Sequence, residues 1–288
     1  YRMAEEFCRS ELLSFTIDAA KKDRLIATQT SLAGKGHEAM RMHLALLSVD
    51  AADIISEDKS GTIIADPTRV KVLSQSGGSI TDSKLVTGLV LAKKRILEAM
   101  PKKIGAGKIL IMNGGIERRS MASEMKLNVT STGVLQSFRD KEMEILLQQV
   151  NHLQSIGVTL LACREGIDDD IRSALNDAGI QAFRRVARDD LDLLARGCGA
   201  TLVHDVKHAT IQDLGAFIES RNEMWNGVSH WIVETEEGGA TFIARGSTID
   251  VLGEVERCFG DALGVACQLI EEPLLLAGGG ATQVALAR

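Results

Sequence analysis

The sequence predicts an α/β chain of two domains, an α/β block inserted into a mostly helical one. Three observations carry this. From Ser79 onward, short apolar runs alternate with helical patterns, the grammar of an α/β layer architecture. Patterns of helical period flank that block at both ends. The length, 288 residues, exceeds one minimal domain and falls short of three.

The elements follow in order. Met3, Phe7, Leu12, Leu13, Phe15 and Ile17 recur at near-helical spacing and predict a helix up to Ala20. A second helix is expected from Asp23 to Thr30, broken by Ser31-Leu32-Ala33-Gly34-Lys35-Gly36. A third covers His37 to Ser56, with Met40, Leu44, Leu47 and Val49 on one side. Thr62 to Leu73 holds short β-prone pieces around an Asp66-Pro67 turn. Leu85–Leu91 is β-prone, and Lys108–Asn113 is a buried strand closed by Gly114-Gly115. A long helix is expected over Val134–Ser155, stopped by Gly157. Val158–Cys163 and Ala182–Val186 read as strands, and Leu202-Val203 begins another. Asp168–Ala178 and Asp189–Arg196 read as helices, ended by Gly179 and Gly197. His230–Glu234 and Ala240–Arg245 predict a hairpin across a five-residue loop with paired glycines. Gly246 then releases the chain into a long helix, Asp250 to Ile270, with Pro273 beyond it.

Composition bounds the function. The chain is 45% hydrophobic and 25% charged, which is globular rather than disordered. Seven Phe, two Trp and one Tyr leave the core to aliphatic residues. A net charge of −6 without a Lys/Arg block argues against a nucleic-acid surface. Five scattered cysteines with no CxxC pair read as reduced, mostly buried thiols of a cytoplasmic protein. The histidines show no HExxH spacing, so no metal site is expected. No apolar run reaches membrane-spanning length, and no stretch reads as a signal peptide. The chain opens at Tyr1 and stops at Arg288 inside amphipathic patterns, so a longer parent polypeptide is expected.

Each chemical motif has a plain structural alternative. Gly105-Ala106-Gly107-Lys108 and Gly34-Lys35-Gly36 both fail as phosphate loops: the upstream glycine and the Ser or Thr after the Lys are missing. Gly278-Gly279-Gly280 is either a flexible turn or a place for close backbone approach to a ligand. Asp168-Asp169-Asp170 opens a helix, where carboxylates cap free N–H groups. Arg184-Arg185 reads as a strand end. Asp261 sits on the charged side of a helix with Glu254, Glu256 and Arg257, where a single carboxylate is usually just solvated. Val134, Leu135 and Phe138 are either core or an exposed apolar tip.

Taken together, several stretches resemble group II chaperonins, the archaeal thermosome and its eukaryotic cytosolic relatives. Thr30–Gly36 is similar to the family's "TSLTGKG", and Ser79–Leu91 to its entry into the apical domain. Ala99–Ile104 with Lys108–Ile111 is similar to "MPK…AKIALL", and Cys163–Asp169 to "CQKGIDD". Gly179–Val186 resembles "GIxAxRRV", Asp213-Leu214-Gly215 "DLG", and Ala277–Thr282 "AGGGA/ST". Arg245-Gly246, Glu254–Arg257 and Asp261–Leu263 resemble the return into the intermediate domain.

The resemblance implies a layout. Residues 1–87 and 246–277 would form a mostly helical intermediate domain, and residues 88–245 an inserted apical α/β domain. Residues 119–142 would be a helical protrusion acting as a built-in lid, with Val134, Leu135 and Phe138 at its exposed tip. Residues 278–288 would begin the returning equatorial segment. "LGPKG" and "GDGTT" are absent from the sequence, so the equatorial domain would be largely missing and this chain alone inactive. By resemblance, Asp261 orients the attacking water, Lys35 senses nucleotide, and Gly278, Gly279 and Gly280 lie against the nucleotide. Unfolded clients would meet the protrusion and the helix carrying Asp190, Leu193 and Leu194. ATP and Mg2+ are the implied cofactors of the full-length parent, and a double ring of subunits its implied assembly. The alternative is a chaperonin-like interaction module within a non-chaperonin protein such as a lipid kinase.

Overall fold

A computed structural model describes residues 3, 5–6, 10, 17–18, 20–118, 132–235 and 239–287. The chain divides into two compact units: Tyr1–Leu85 with Phe242–Arg288, and the inserted Val86–Thr241.

The discontinuous unit opens with β1 (Ile17–Asp18), α1 (Lys21–Ser31) and α2 (Glu38–Ile55). The sequence expects Ile17 in a helix. It is instead in a strand, because Ile17 and Asp18 pair antiparallel with Leu275 and Leu274. Phe7, Leu12, Leu13 and Phe15 of the expected first helix lie outside the described residues. α2 forms because Met40, Leu44, Ala45, Ser48, Val49, Ala52 and Ile55 repeat at helical spacing and are all buried. His37 caps it, Nδ1 accepting from the Met40 N–H at 3.2 Å. β2 (Ser56–Lys59) and β3 (Thr62–Ala65) form a hairpin, and β4 (Val70–Ser76) follows.

β5 (Lys84–Thr87) leads into the inserted unit. There β6 (Leu89–Leu91), β7 (Lys103–Ile104), β8 (Gly107–Met112), β9 (Leu160–Cys163), β10 (Gln181–Phe183), β11 (Leu202–Val203), β12 (Gly215–Phe217), β13 (Glu219–Trp225) and β14 (Val228–Glu234) make two sheets. Its helices are α3 (Thr132–Ser155), α4 (Arg172–Asp177) and α5 (Arg188–Cys198). The first sheet runs β10-β9-β8-β11, parallel throughout, with β12 antiparallel on β8. Its central strands read as continuous apolar runs because both faces are buried. Ile109, Ile111, Leu160 and Ala162 pack with Leu191, Leu194, Phe217 and Trp231. Leu110, Met112, Leu161 and Cys163 pack with Leu146, Val150, Leu153 and Leu175.

The second sheet, β6-β14-β13-β7, corrects the expected hairpin. His230–Glu234 does not pair with Ala240–Arg245. It pairs with β13 across Asn226-Gly227, whose positive φ values of 48° and 79° suit a two-residue hairpin turn. Two further boundaries differ from expectation. α5 runs through Gly197 and ends at Gly199, the residue in left-handed conformation. The Asp168–Ala178 helix begins as a 3-10 turn, with Asp168 accepting from the Asp170 N–H at 3.0 Å.

The chain returns through β15 (Ala240–Gly246), which joins the sheet β4-β15-β5, and continues into α6 (Ile249–Glu271), β16 (Leu274–Leu275) and α7 (Ala281–Leu286). α6 buries Leu252, Val255, Phe259, Ala262, Leu263 and Ala266. Phe259 stacks on Phe242 at 3.7 Å between ring centres, which anchors α6 on the returning strand.

Candidate functional site

The loop after α1 is shaped by two glycines. Gly34 and Gly36 adopt φ of 82° and 58°, conformations that glycine takes without strain. A Cβ at Gly36 would also stand 2.5 Å from the Met40 sulfur. The Lys35 N–H donates to the Leu32 carbonyl at 3.0 Å, which ties the loop to the end of α1. Lys35 is thereby held on a fixed turn.

Its side chain reaches α6 and donates to Asp261 across 226 residues of sequence. The Lys35 side chain is 23% exposed and that of Asp261 48%, so the pair sits at the surface, open to solvent on the Asp261 side. Arg257, one turn earlier on α6, lies 3.6 Å from the same carboxylate oxygen. Lys35 above all, and Arg257 after it, hold the Asp261 carboxyl below the usual carboxylate range. Arg257 also grips Glu254 through Nη2 at 2.6 Å and Nε at 3.0 Å, and lowers its pKa. The Cys258 thiol lies 3.3 Å from Glu254; burial, then that carboxylate, pushes it up to about 11. The result is a small ionic cluster in which Lys35 of the loop meets Glu254, Arg257 and Asp261 on one stretch of α6.

A carboxylate held ionised is a good hydrogen-bond acceptor and a weak base. Asp261 is thus suited to orienting a water molecule rather than to stripping its proton at neutral pH.

The other expected site residues are placed differently. Gly278–Gly280 form an exposed turn before α7, with Gly279 and Gly280 at φ of 68° and 85°. A Cβ on any of the three would meet nothing within 4 Å, so backbone conformation rather than crowding favours glycine here. No hydrogen bond joins these glycines to Lys35 or Asp261 among the described residues. On α5, Asp190 and Leu193 are half-buried. Leu194 is 1% exposed and belongs to the core under the parallel sheet, which corrects its expected contact with clients. Val134, Leu135 and Phe138 are helical positions of α3, and their side chains lie outside the described residues, as do residues 119–131 of the expected protrusion. Cys163, Cys198, Cys258 and Cys267 are free, buried thiols. Among the described residues no three His, Cys, Asp or Glu side chains converge to hold a metal ion. No described helix is long and apolar enough to cross a membrane.

The profile of the TCP-1/cpn60 chaperonin family matches residues 1–288. The chain belongs to this chaperonin family. Among curated relatives, it is 34% identical to thermosome subunit beta of Methanothermobacter thermautotrophicus, an alignment covering 100% of this chain and 53% of that one. It is 31% identical to the thermosome subunit of Pyrococcus abyssi, over 99% of this chain and 53% of that one. Among solved structures it is similar to the open-state monomer of a group II chaperonin from Methanococcoides burtonii. There the TM-score is 0.81 at 29% identity, covering 100% of this chain and 67% of that one. The chaperonin likeness is therefore to the group II branch, and the chain spans about half the length of the curated relatives it matches. The interaction-module alternative finds no support among these relatives.

Two members of the ionic cluster, Glu254 and Arg257, were read from the sequence only as part of a charged helix face. Their signal was present: Glu254–Arg257 and Arg257–Asp261 stand at i,i+3 and i,i+4 on one helix, the spacings at which side chains meet.

Proposed function

We propose that this chain supplies the intermediate and apical domains of an ATP-driven, cytoplasmic group II chaperonin subunit. Residues 1–87 and 246–277 are the intermediate domain, residues 88–245 the client-binding apical domain with its lid protrusion, and residues 278–288 the start of the returning equatorial segment. Subunits of the full-length parent assemble into a double ring, bind unfolded proteins and enclose them.

One observation carries the reading: Lys35 and Asp261, far apart in sequence, form an ion pair within a chain of this family. The pair suggests how nucleotide could be sensed. Lys35 neutralises Asp261 when no phosphate competes for it. A nucleotide γ-phosphate, with more charge than one carboxylate, draws the ammonium away. Asp261 then keeps only Arg257 beside it, and its free lone pairs can hold and aim the attacking water. Gly278–Gly280 would allow the nucleotide close to the backbone. ATP provides the transferable phosphoryl group and Mg2+ charge neutralisation, held by parts of the parent beyond the residues described. The half-buried Asp190 and Leu193 of α5 and the α3 protrusion are the proposed client contacts.

The test is Asp261→Ala in the full-length parent. Nucleotide binding should survive while phosphate release falls by on the order of 10²–10⁴, the scale for a positioned acid–base or water-orienting group. Alanine is well tolerated on an exposed helix position, so the fold should hold. Unchanged turnover would reduce Asp261 to a surface carboxylate.

A further inference from the structure

The inserted unit carries a second polar feature, independent of the Lys35–Asp261 pair. The loop after β6, the start of α4 and the residues after β10 line an open cavity of about 360 Å3. Lys93, Lys94, Arg95, Arg172, Arg184 and Arg185 line it, against one carboxylate, Glu98. One further acid stands near, Asp169, ion-paired with Arg172 and with Arg184, the latter at 3.4 Å. Six cations against two carboxylates leave four positive charges uncompensated, in a chain whose net charge is −6.

The fold holds these cations in place without cancelling them. Lys93 donates to the carbonyl of Arg185. Arg95 donates to the carbonyls of Glu98, at 3.2 Å, and Met100. Arg184 donates to the Ile167 carbonyl at 3.3 Å. Neutral carbonyls fix the side chains and leave their charge. Lys94 and Arg185 make no ion pair among the described residues, and both are exposed. Gathering like charges in one concavity works against the compact state, since each repels its neighbours in a region of reduced dielectric. A bound polyanion reverses the sign of that term.

The shape narrows the ligand. At about 360 Å3 the cavity is near the lower end of small-molecule sites, roughly 300–1,000 Å3. An extended peptide needs a longer groove. Guanidinium forks converging from several segments match phosphoryl oxygens, which accept paired N–H donors. We propose that this pocket binds a compact polyphosphate of two or three phosphoryl groups, either free or as the tail of a nucleotide. The site lies within Val86–Thr241, whereas Lys35, Asp261 and Gly278–Gly280 all belong to the other unit.

The probe is inorganic tripolyphosphate, titrated calorimetrically into the 288-residue chain at low and at physiological salt. Micromolar binding that weakens with salt is expected. Lys94→Gln combined with Arg185→Asn should weaken it tenfold or more. The melting temperature should not fall: both side chains are exposed and unpaired, their removal relieves like-charge repulsion, and Asn tolerates the left-handed backbone of Arg185, at φ 56°. Lys35→Gln should leave tripolyphosphate binding unchanged. Equal competition by ATP supports the nucleotide tail as ligand, and weak competition supports the free anion. Absence of binding at millimolar tripolyphosphate overturns the proposal, as does binding untouched by the double variant or abolished by Lys35→Gln. Tighter binding of a glutamate-rich peptide than of tripolyphosphate overturns it in favour of peptide docking.

Discussion

Asp261 owes the lowering of its pKa first to Lys35, and that dependence has a sign. A carboxyl whose folded pKa is lowered contributes stability above its unfolded value, about 4 for Asp. That contribution is lost as pH falls through the lower folded value. Asp261 and Glu254 both behave in this way, Glu254 through Arg257. Lys35→Gln should therefore move the Asp261 titration upward toward the ordinary value and flatten the loss of stability below about pH 4. Carboxyl 13C chemical shifts followed against pH measure the first effect. An unmoved midpoint would mean that Lys35 does not hold the carboxylate in solution. At this scale the sequence was only partly legible. Local pattern places Asp261 on a charged helix face and Lys35 on a glycine turn, nothing more. Their meeting spans 226 residues, and no periodicity reaches that far. Only the resemblance to chaperonins connected the two. The basic pocket was hidden for the same reason: the short runs Lys93-Lys94-Arg95 and Arg184-Arg185 and the single Arg172 come from three separate segments, and only the fold brings them together.

Among the elements, those buried on both sides were the most legible. β8 and β9 announce themselves as unbroken apolar runs because neither face meets water. β13 did not, since Glu219–Trp225 is a mostly polar sequence whose strand character comes from pairing with β14 and β7. The Asn226-Gly227 dipeptide was the available signal for its turn. Close strand approach also makes Gly88 sensitive. Its φ is 95°, and a Cβ would stand 2.0 Å from the Val233 carbonyl oxygen, a backbone atom that cannot step aside. Gly88→Ala should cost roughly 3 kcal/mol or more, combining left-handed strain with overpacking. Leu194→Ala should cost about 2–5 kcal/mol, as core truncations do, and the half-buried Leu193→Ala clearly less. Urea denaturation of the three variants tests this ranking. Equal losses at Leu193 and Leu194 would contradict the burial that separates them.

At the scale of the whole molecule, the chain spans about half the length of the curated relatives it matches, and the ring is proposed only for the full-length parent. The 288-residue chain should be monomeric at micromolar concentration and show no ATP hydrolysis above background. Light scattering and phosphate release decide both, and a stable ring formed by this chain alone would overturn the proposed division of labour. The partition of aromatic residues gives a further handle. Both tryptophans, Trp225 and Trp231, lie within Val86–Thr241. Trp231 is fully buried, stacked on Phe183 at 3.9 Å, with its indole N–H donating to Ser220 at 2.9 Å. Indole emission is thus a private channel: it reports the melting of the inserted unit and is silent about the loop that carries Lys35 and the helix that carries Asp261. Circular dichroism sees both units at once. Overlaying the two curves turns an accident of composition into a measure of whether the units unfold as one cooperative body or as two.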